Sequence, residues 1–459
     1  MEWLEKTVTI LGLGRSGLAC ARELSAMGCR LILSDARPTE ELMPLLADLP
    51  LGEVRVEGGG HSAACLDADV IVLSPGVSVD LPIVQAALAD GVPVLGELEL
   101  AYRLRPSVPH VAITGTNGKT TTTTLVGRIL AEAGLRALVG GNIGTPLVSM
   151  VHSPADVVVA EVSSFQLETI AQFRPEVAVL LNFTDDHLNR HGTRDVYWRA
   201  KCRIFENQGP EDWAILNADD PAVSALIGRT PGRHVAFSVS GPLERGVWIH
   251  DDWIVLSHDG GTLPVMPVSE VQLRGRHNLE NVLASVGVGV ALRLEVEPVR
   301  KAIAAFTGVE HRIEPVRVLD AVAWYNDSKG TNYDSTIKAI EAFAEGIVLI
   351  AGGRDKGGDI QPLLSRIRER VRHVVLLGEA GPDFARSLRS IGYDAVTVVE
   401  SMPEAIQEAR GLATPGEIVL FSPACTSFDM FKDYEDRGRT FKGLVKALAG
   451  GDGEPAAQG

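Results

Sequence analysis

From Thr7 to Phe421 the chain alternates short apolar runs with helical stretches, and that rhythm admits few folds. Short aliphatic runs bounded by glycine or proline read as buried strands, and helices between them imply parallel sheets covered on both faces. The alternation falls into three blocks. In the first, Val8 to Leu11 and Leu31 to Leu33 flank a helix over Ser16 to Met27, and Val70 to Leu73 and Pro93 to Leu95 continue the sheet. Arg105-Pro106-Ser107-Val108-Pro109 reads as a linker, because its prolines interrupt regular structure. The second block opens with a strand over Val111 to Thr114, followed by strands at Val157 to Ala160 and Val177 to Leu181. Val235 to Leu273 is irregular, with alternating apolar residues, and is expected to add β structure before a helix that runs from Gly275 through Ala291. The third block begins near His311, with strands at Val322 to Tyr325, Ile347 to Ala351, Val374 to Leu377, Ala395 to Val399 and Ile418 to Phe421.

The fold expected is α/β in three domains. Residues 1–105 read as a Rossmann-like N-terminal domain, and 106–308 as a central P-loop-type ATPase domain with a mostly parallel sheet plus extra β structure. Residues 309–449 read as a second Rossmann-like domain, and the small, polar stretch 450–459 as a flexible tail.

Composition narrows the function classes. Lys and Arg number 43 against 59 Asp and Glu, a formal net charge of −16. Such a surface repels nucleic acid and anionic membrane, so anionic ligands must be held by local sites. The longest apolar run, Val282 to Leu292, is too short to span a bilayer, and the acidic start at Met1 to Lys6 does not read as a signal peptide. Five scattered cysteines without a paired motif fit reduced thiols in a cytoplasm.

Chemistry concentrates in Thr114-Gly115-Thr116-Asn117-Gly118-Lys119-Thr120, between a strand and a helix. Glycines let backbone N–H groups turn inward around phosphates, the helix start adds a positive dipole end, Lys119 a point charge and Thr120 a hydroxyl for Mg²⁺. Only the second half of the longer GxxxxGKS/T pattern is met. Glu161 follows one strand directly and Asp186-His187 another after a short turn, so loop, carboxylate and imidazole are expected on one edge of the sheet. A hard cation bridging phosphates would take oxygen from Glu161 and Thr120.

The loop resembles that of the Mur ligases and of their relatives that extend folate with glutamate. Further segments resemble the D-glutamate-adding Mur ligases: Gly141 to Pro146, Glu161 to Gln166, Arg199-Ala200-Lys201, Gly275 to Asn278 with Asn281, Glu310-His311-Arg312, Asn326 to Asn332, and Ser422 to Asp429. They occur in order over residues 7 to 445. The resemblance implies an ATP-dependent ligase, using ATP and two Mg²⁺ ions, that joins UDP-N-acetylmuramoyl-L-alanine to D-glutamate through an acyl phosphate. It also implies a cytoplasmic monomer with neither nucleic-acid nor membrane partners.

The resemblance also distributes roles. Gly115 to Thr121, with Thr121 beside Thr120, would hold ATP phosphates, and Asn278, Asn281, Arg312, Asp327 and Lys329 would contact the rest of ATP. Lys201 would be carbamylated and, with His187, bind a second Mg²⁺; Asn142 and Asp186 would position substrate. Gly14, Arg15, Ser16, Asp35, Arg37, Ser74, Pro75 and Gly76 would bind the UDP end. Thr331, Lys356, Ser427 and Tyr434 would hold the incoming amino acid, with Ser427 expected at the start of a helix.

Each motif has a plainer reading. Lys201 alone would pass for a solvated helical lysine, His187 for a surface histidine, and Asn278 for an N-cap. Gly12-Leu13-Gly14-Arg15-Ser16-Gly17 followed by Asp35 also fits a dinucleotide fingerprint, so a nicotinamide-dependent oxidoreductase is the alternative. No hydride-transfer site follows that block. A catalytically dead nucleotide-binding module would be favoured by loss of Lys119, Glu161, His187 or Lys201, and all four are present.

Overall fold

The computed structural model describes residues 3–47, 49–50, 52–258 and 261–449; the expected tail at 450–459 lies outside the described residues. Among the described residues the strands form three sheets, and no helix is long and apolar enough to cross a membrane. One compact unit takes the chain up to Phe183 together with Asp195–Val268 and Val282–Ile303. A second takes Thr184–Arg194, Ser269–Asn281 and the chain from Ala304 onward.

The first sheet holds β1 (Thr7–Leu11), β2 (Arg30–Ser34), β3 (Val54–Glu57), β4 (Val70–Leu73) and β5 (Val94–Gly96). All pairings are parallel, in the order β3-β2-β1-β4-β5. Strand order reverses between β1 and β4, which opens a crevice at their carboxyl ends. The helix Arg15–Ala26 enters there, so close to β1 that a Cβ on Gly17 would lie 1.9 Å from the Gly12 carbonyl oxygen. Only glycine fits.

The second sheet comprises β6 (His110–Thr114), β7 (Ala137–Gly141), β8 (Val157–Glu161), β9 (Val177–Leu180), β10 (Trp213–Asn217), β11 (Arg233–Ser238), β12 (Gly246–His250), β13 (Trp253–His258) and β14 (Gly261–Pro267). Its order is β14-β13-β12-β11-β10-β9-β6-β8-β7. Pairing is parallel from β7 to β12 and antiparallel from β12 to β14, so the extra β structure expected after Val235 extends the same sheet. The edge strand β14 carries Pro264 and Pro267, and its register against β13 shifts between Ile254 and Val255.

The helix Glu97–Leu104 joins these two sheets. Glu99, fully buried, accepts backbone N–H groups of Ala171 (2.8 Å), Gln172 (2.9 Å) and Phe173 (2.9 Å), and pairs with Arg103 at 2.7 Å. A carboxylate satisfied by several donors tolerates such burial. Tyr102, His110 and Phe173 meet edge to face in the same seam, within a core that runs on through Leu98, Leu100, Ala112 and Leu147.

In the second unit β15 (Glu314–Leu319), β16 (Val322–Asn326), β17 (Ile347–Gly352), β18 (Val371–Leu377), β19 (Val396–Val398) and β20 (Ile418–Phe421) form a sheet ordered β15-β16-β20-β17-β18-β19. Apolar cores cover both faces, one around Phe343 and Leu349 and the other around Trp324 and Phe441. Only β15 is antiparallel to its neighbour. That strand was not anticipated. Its turn uses Asp320 and Ala321 at φ +52 and +61 in place of the glycine that usually marks such hairpins. Strands β3, β7 and β10 were likewise unassigned, β7 because its two glycines dilute an already short apolar run.

Burial holds the His110 imidazole down at about 4. Below its ordinary pKa of 6.5 the unfolded chain takes up a proton that the folded chain refuses, so stability is full above that pH and falls as pH drops toward 4. The loss should reach about 3 kcal/mol. Urea unfolding near neutrality and near pH 4.5 should show a smaller pH dependence in His110→Phe, which keeps the ring packing. Equal dependence in both proteins would assign the acid sensitivity elsewhere.

Candidate active site

Strand β6 ends at Thr114, and Gly115 leaves it at φ +153. Gly118, at φ +85, turns the chain into the helix Lys119–Glu132, whose N-terminus carries no side-chain cap. The positive end of that helix dipole favours an anion there. The loop is clamped by Asn182, just beyond β9. The Asn182 amide oxygen accepts the Asn117 N–H (2.8 Å), its Nδ2 donates to the Asn117 carbonyl (3.1 Å), and its backbone carbonyl accepts the Thr116 N–H (3.1 Å). Tyr197 adds a hydroxyl contact to Thr116 at 3.3 Å. Neither Asn182 nor Tyr197 was singled out from sequence, although Asn182 follows a strand that pairs with β6 and so had to lie beside the loop.

Two lysines converge on this loop. Lys119 Nζ donates to the carbonyls of Gly115 (2.9 Å) and Thr116 (2.8 Å), and Lys201 Nζ donates to Gly115 from the other side at 2.7 Å. Lys201 is 1% exposed, with its ammonium 4.7 Å from the centre of the Tyr197 ring. The plain reading of a solvated lysine does not hold: the helix Arg194–Cys202 buries the face that carries Tyr197, Ala200 and Lys201.

Glu161 closes the group. Buried at the end of β8, it accepts from Thr120 Oγ1 at Oε2 and from Asn142 Nδ2 at Oε1, both at 2.8 Å. Thr120, Glu161 and Asn142 thus meet at the adjacent carboxyl ends of β6, β8 and β7. A carboxylate beside a hydroxyl offers the hard oxygen donors that suit Mg²⁺.

His187 and Asp186, expected near that group, belong to the second unit. Asp186 accepts from Asn332 Nδ2 (2.9 Å) and lies 3.5 Å from Lys356 Nζ, which is 3.4 Å from Thr331 Oγ1. His187 stands in the left-handed region at φ +55, its Nε2 3.5 Å from Asp186. Asn332 was quoted in a motif without a role; the structure makes it the amide that orients Asp186. Arg312 lies 3.6 Å from Asp327, whose carboxyl is pushed up by burial despite that neighbour. Asn278 and Asn281 are buried, bonded to each other at 3.1 Å and lie inside the helix Arg276–Ala291, so neither is its N-cap.

The amino-acid group divides. Thr331 and Lys356 come together, whereas Tyr434 pairs with Lys329, hydroxyl to ammonium 3.3 Å. Ser427 is not at a helix start: it lies in a turn, and the next helix begins only at Tyr434. An antiparallel bridge between Arg354 and Thr426 holds that turn beside the segment carrying Lys356, so backbone pairing, not a helix dipole, places Ser427.

At the β1–β4 crevice, Asp35 accepts from the Leu13 N–H (2.6 Å) and from Arg37 through its amide, Nε and NH2, each at 2.9 Å. The Arg37 bonds hold its carboxyl far below the usual carboxylate range. Such a carboxylate has about four acceptor sites, and all are taken, which leaves none for a ribose hydroxyl. Ser74 is buried beside Gly12, with Pro75 and Gly76 beyond it, and Arg15 reaches the Gly144 carbonyl at 3.4 Å, tying the loop of Gly14 and Ser16 to the segment of Asn142.

Comparison with known proteins decides the family. The Mur ligase MurD-like N-terminal domain matches residues 6–96, the Mur ligase middle domain 113–289, and the Mur ligase glutamate ligase domain 311–425. A UDP-N-acetylmuramoylalanine--D-glutamate ligase of Pelotomaculum thermopropionicum is 46% identical over 98% of this chain and 99% of its own. The chain belongs to the Mur ligase family. Another D-glutamate ligase, from Koribacter versatilis, is 45% identical over 98% of this chain and 99% of its own. Among solved Mur ligases, the UDP-N-acetylmuramate-alanine ligase of Thermotoga maritima shares the fold at TM-score 0.59 and 21% identity, over 96% of this chain and all of its own. The α/β fold and the family resemblance read from the motifs are both borne out.

In this Mur ligase the clamp on the loop is testable. Asn182→Ala would strand the buried N–H and carbonyl of Asn117, and should lower unfolding free energy by about 2 kcal/mol. A urea midpoint equal to that of the parent would mean the loop backbone is satisfied without Asn182.

Proposed function

We propose that this chain joins D-glutamate to UDP-N-acetylmuramoyl-L-alanine in an ATP-dependent step of peptidoglycan precursor synthesis, acting in the cytoplasm as a monomer. The observation that carries the reading is relatedness of 44–46% to ligases of that name over nearly the full length of both chains. The loop, the buried Glu161 and the paired Thr331 and Lys356 supply chemistry of the right kind.

The L-alanyl carboxylate attacks the γ-phosphate of ATP, giving an acyl phosphate and ADP; the amine of D-glutamate then attacks that carbonyl and phosphate leaves. Two anions must first approach each other, so alignment and charge neutralisation dominate. Residues 115–121 cradle the phosphates, with Lys119 turning from its loop carbonyls toward them. Thr120 and Glu161 would hold one Mg²⁺; Lys201, carbamylated by CO₂ on its neutral amine with loss of a proton, would offer oxygen to a second, and His187 would offer a ring nitrogen as a ligand. Those ions neutralise phosphate charge when bound. Asn142 and Asp186 position the acyl substrate; Gly14, Arg15, Ser16, Arg37, Ser74, Pro75 and Gly76 take its UDP end, with Asp35 acting through the Arg37 guanidinium and the Leu13 N–H that it holds. Asn278, Asn281, Arg312, Asp327 and Lys329 contact ATP, and Thr331, Lys356, Ser427 and Tyr434 hold the carboxylates of D-glutamate.

Phosphate release should require D-glutamate when ATP, Mg²⁺ and UDP-N-acetylmuramoyl-L-alanine are present, with a product heavier by one glutamyl residue. L-Glutamate and L-lysine should not replace it. Release with L-lysine alone would reassign the acceptor. Lys119→Ala should lower turnover on the order of 10²-fold or more, the cost of losing a preorganised charge. For Lys201, ¹³C-bicarbonate should give a carbamate signal that Lys201→Met abolishes; the same spectrum from both proteins would remove the carbamate.

A further inference from the structure

Arg312 sits in a turn that its own sequence does not favour. Its neighbours His311 and Ile313 take left-handed backbone, at φ +64 and +45. A β-branched isoleucine rarely adopts that region, so surrounding contacts must impose it. Those contacts come from the helix Tyr434–Ala447 and from β16. Lys442 Nζ donates to Glu310 and to Glu314 Oε1, the latter at 2.9 Å. Glu314 Oε2 accepts the His311 N–H and Asn326 Nδ2, both at 3.0 Å. Asn326 Oδ1 accepts the Ser328 N–H at 3.1 Å, which fixes the amide so that its Nδ2 also faces His311 Nδ1 at 2.8 Å. One turn before Lys442, Gly438 makes room for the imidazole: a Cβ there would lie 2.2 Å from Nδ1. Positions four apart share a helix face, so Gly438 and Lys442 grip the turn together.

Glu310, His311 and Glu314 lie close enough to suggest metal ligands. Opposite ring nitrogens face the two carboxylates, however, Nε2 3.7 Å from Glu310 and Nδ1 4.0 Å from Glu314. One ion cannot use both, and an ammonium already bridges the carboxylates. The cluster is a clasp.

We infer that Lys442 is a positioning residue for the ligase reaction: bound by Glu310 and Glu314, its ammonium fixes the strained turn that presents Arg312 to ATP. The inference rests on the proposed contact between Arg312 and ATP. Lys442→Met, Lys442→Arg and Arg312→Ala should be compared for KM of ATP, KM of the UDP-linked substrate and melting temperature. Lys442→Met should raise the ATP KM about tenfold, as expected for losing a charged hydrogen bond, and leave the UDP-substrate KM unchanged. Lys442→Arg, which can still bridge two carboxylates, should recover most of that loss. An unchanged ATP KM in Lys442→Met would overturn the inference, as would parallel rises in both KM values with a falling melting temperature. An unchanged ATP KM in Arg312→Ala would instead remove the underlying ATP contact. Should Lys442→Met fail to fold, Glu314→Gln opens the same clasp and is judged by the same pair of KM values.

Discussion

The carbonyl of Gly115 is the acceptor around which the glycine loop after β6 is arranged. It receives Lys119 from the helix that follows the loop and Lys201 from a different helix, so two ammonium groups share one oxygen. This is possible because Gly115 leaves β6 at φ +153 with little room beside it: a Cβ would stand 3.0 Å from that of Leu181. A larger residue would shift the carbonyl and both charges with it.

Each unit carries its own set of oriented polar side chains. The first unit holds the glycine loop and the buried Glu161 at the carboxyl ends of parallel strands, with Lys119 on the helix after the loop and Lys201 on the helix Arg194–Cys202. The second unit supplies Asp186 with its amide and lysine partners, and the Arg312–Asp327 pair. In each unit the polar side chains are oriented by a second polar residue: Asn142 for Glu161, Asn182 for the loop, Asn332 for Asp186, Ser422 for Asp327. Asparagine recurs because its amide donates and accepts at once, which suits a site crowded with both kinds of group.

Much of this was legible in the sequence. The alternation of runs placed most strands, and the glycine loop fell between a strand and a helix as read, because both depend on local geometry. What stayed hidden depends on neighbours distant in sequence. Lys201 looked solvated since nothing local reveals that its helix face lies against β-strand residues. Ser427 was assigned to a helix start from its motif, yet it lies in a turn held by the bridge between its neighbour Thr426 and Arg354. The hairpin at Asp320 and Ala321 lacked a glycine signal because tertiary pairing with β20 carries β16 in any case. Asp35 fitted a ribose-binding fingerprint by spacing alone, and only its bonds to Arg37 and Leu13 show that its acceptor capacity is consumed within the protein.

The edge of the nine-stranded sheet bears on how the molecule behaves in company. Pro264 and Pro267 withhold amide hydrogens from β14, and the slipped register against β13 bends the strand. An edge built this way is a poor template for a further strand, since incoming chains find missing donors at intervals and a curved line to follow. The antiparallel extension therefore lengthens the sheet and at the same time terminates it, which protects a long sheet from pairing edge to edge at high concentration.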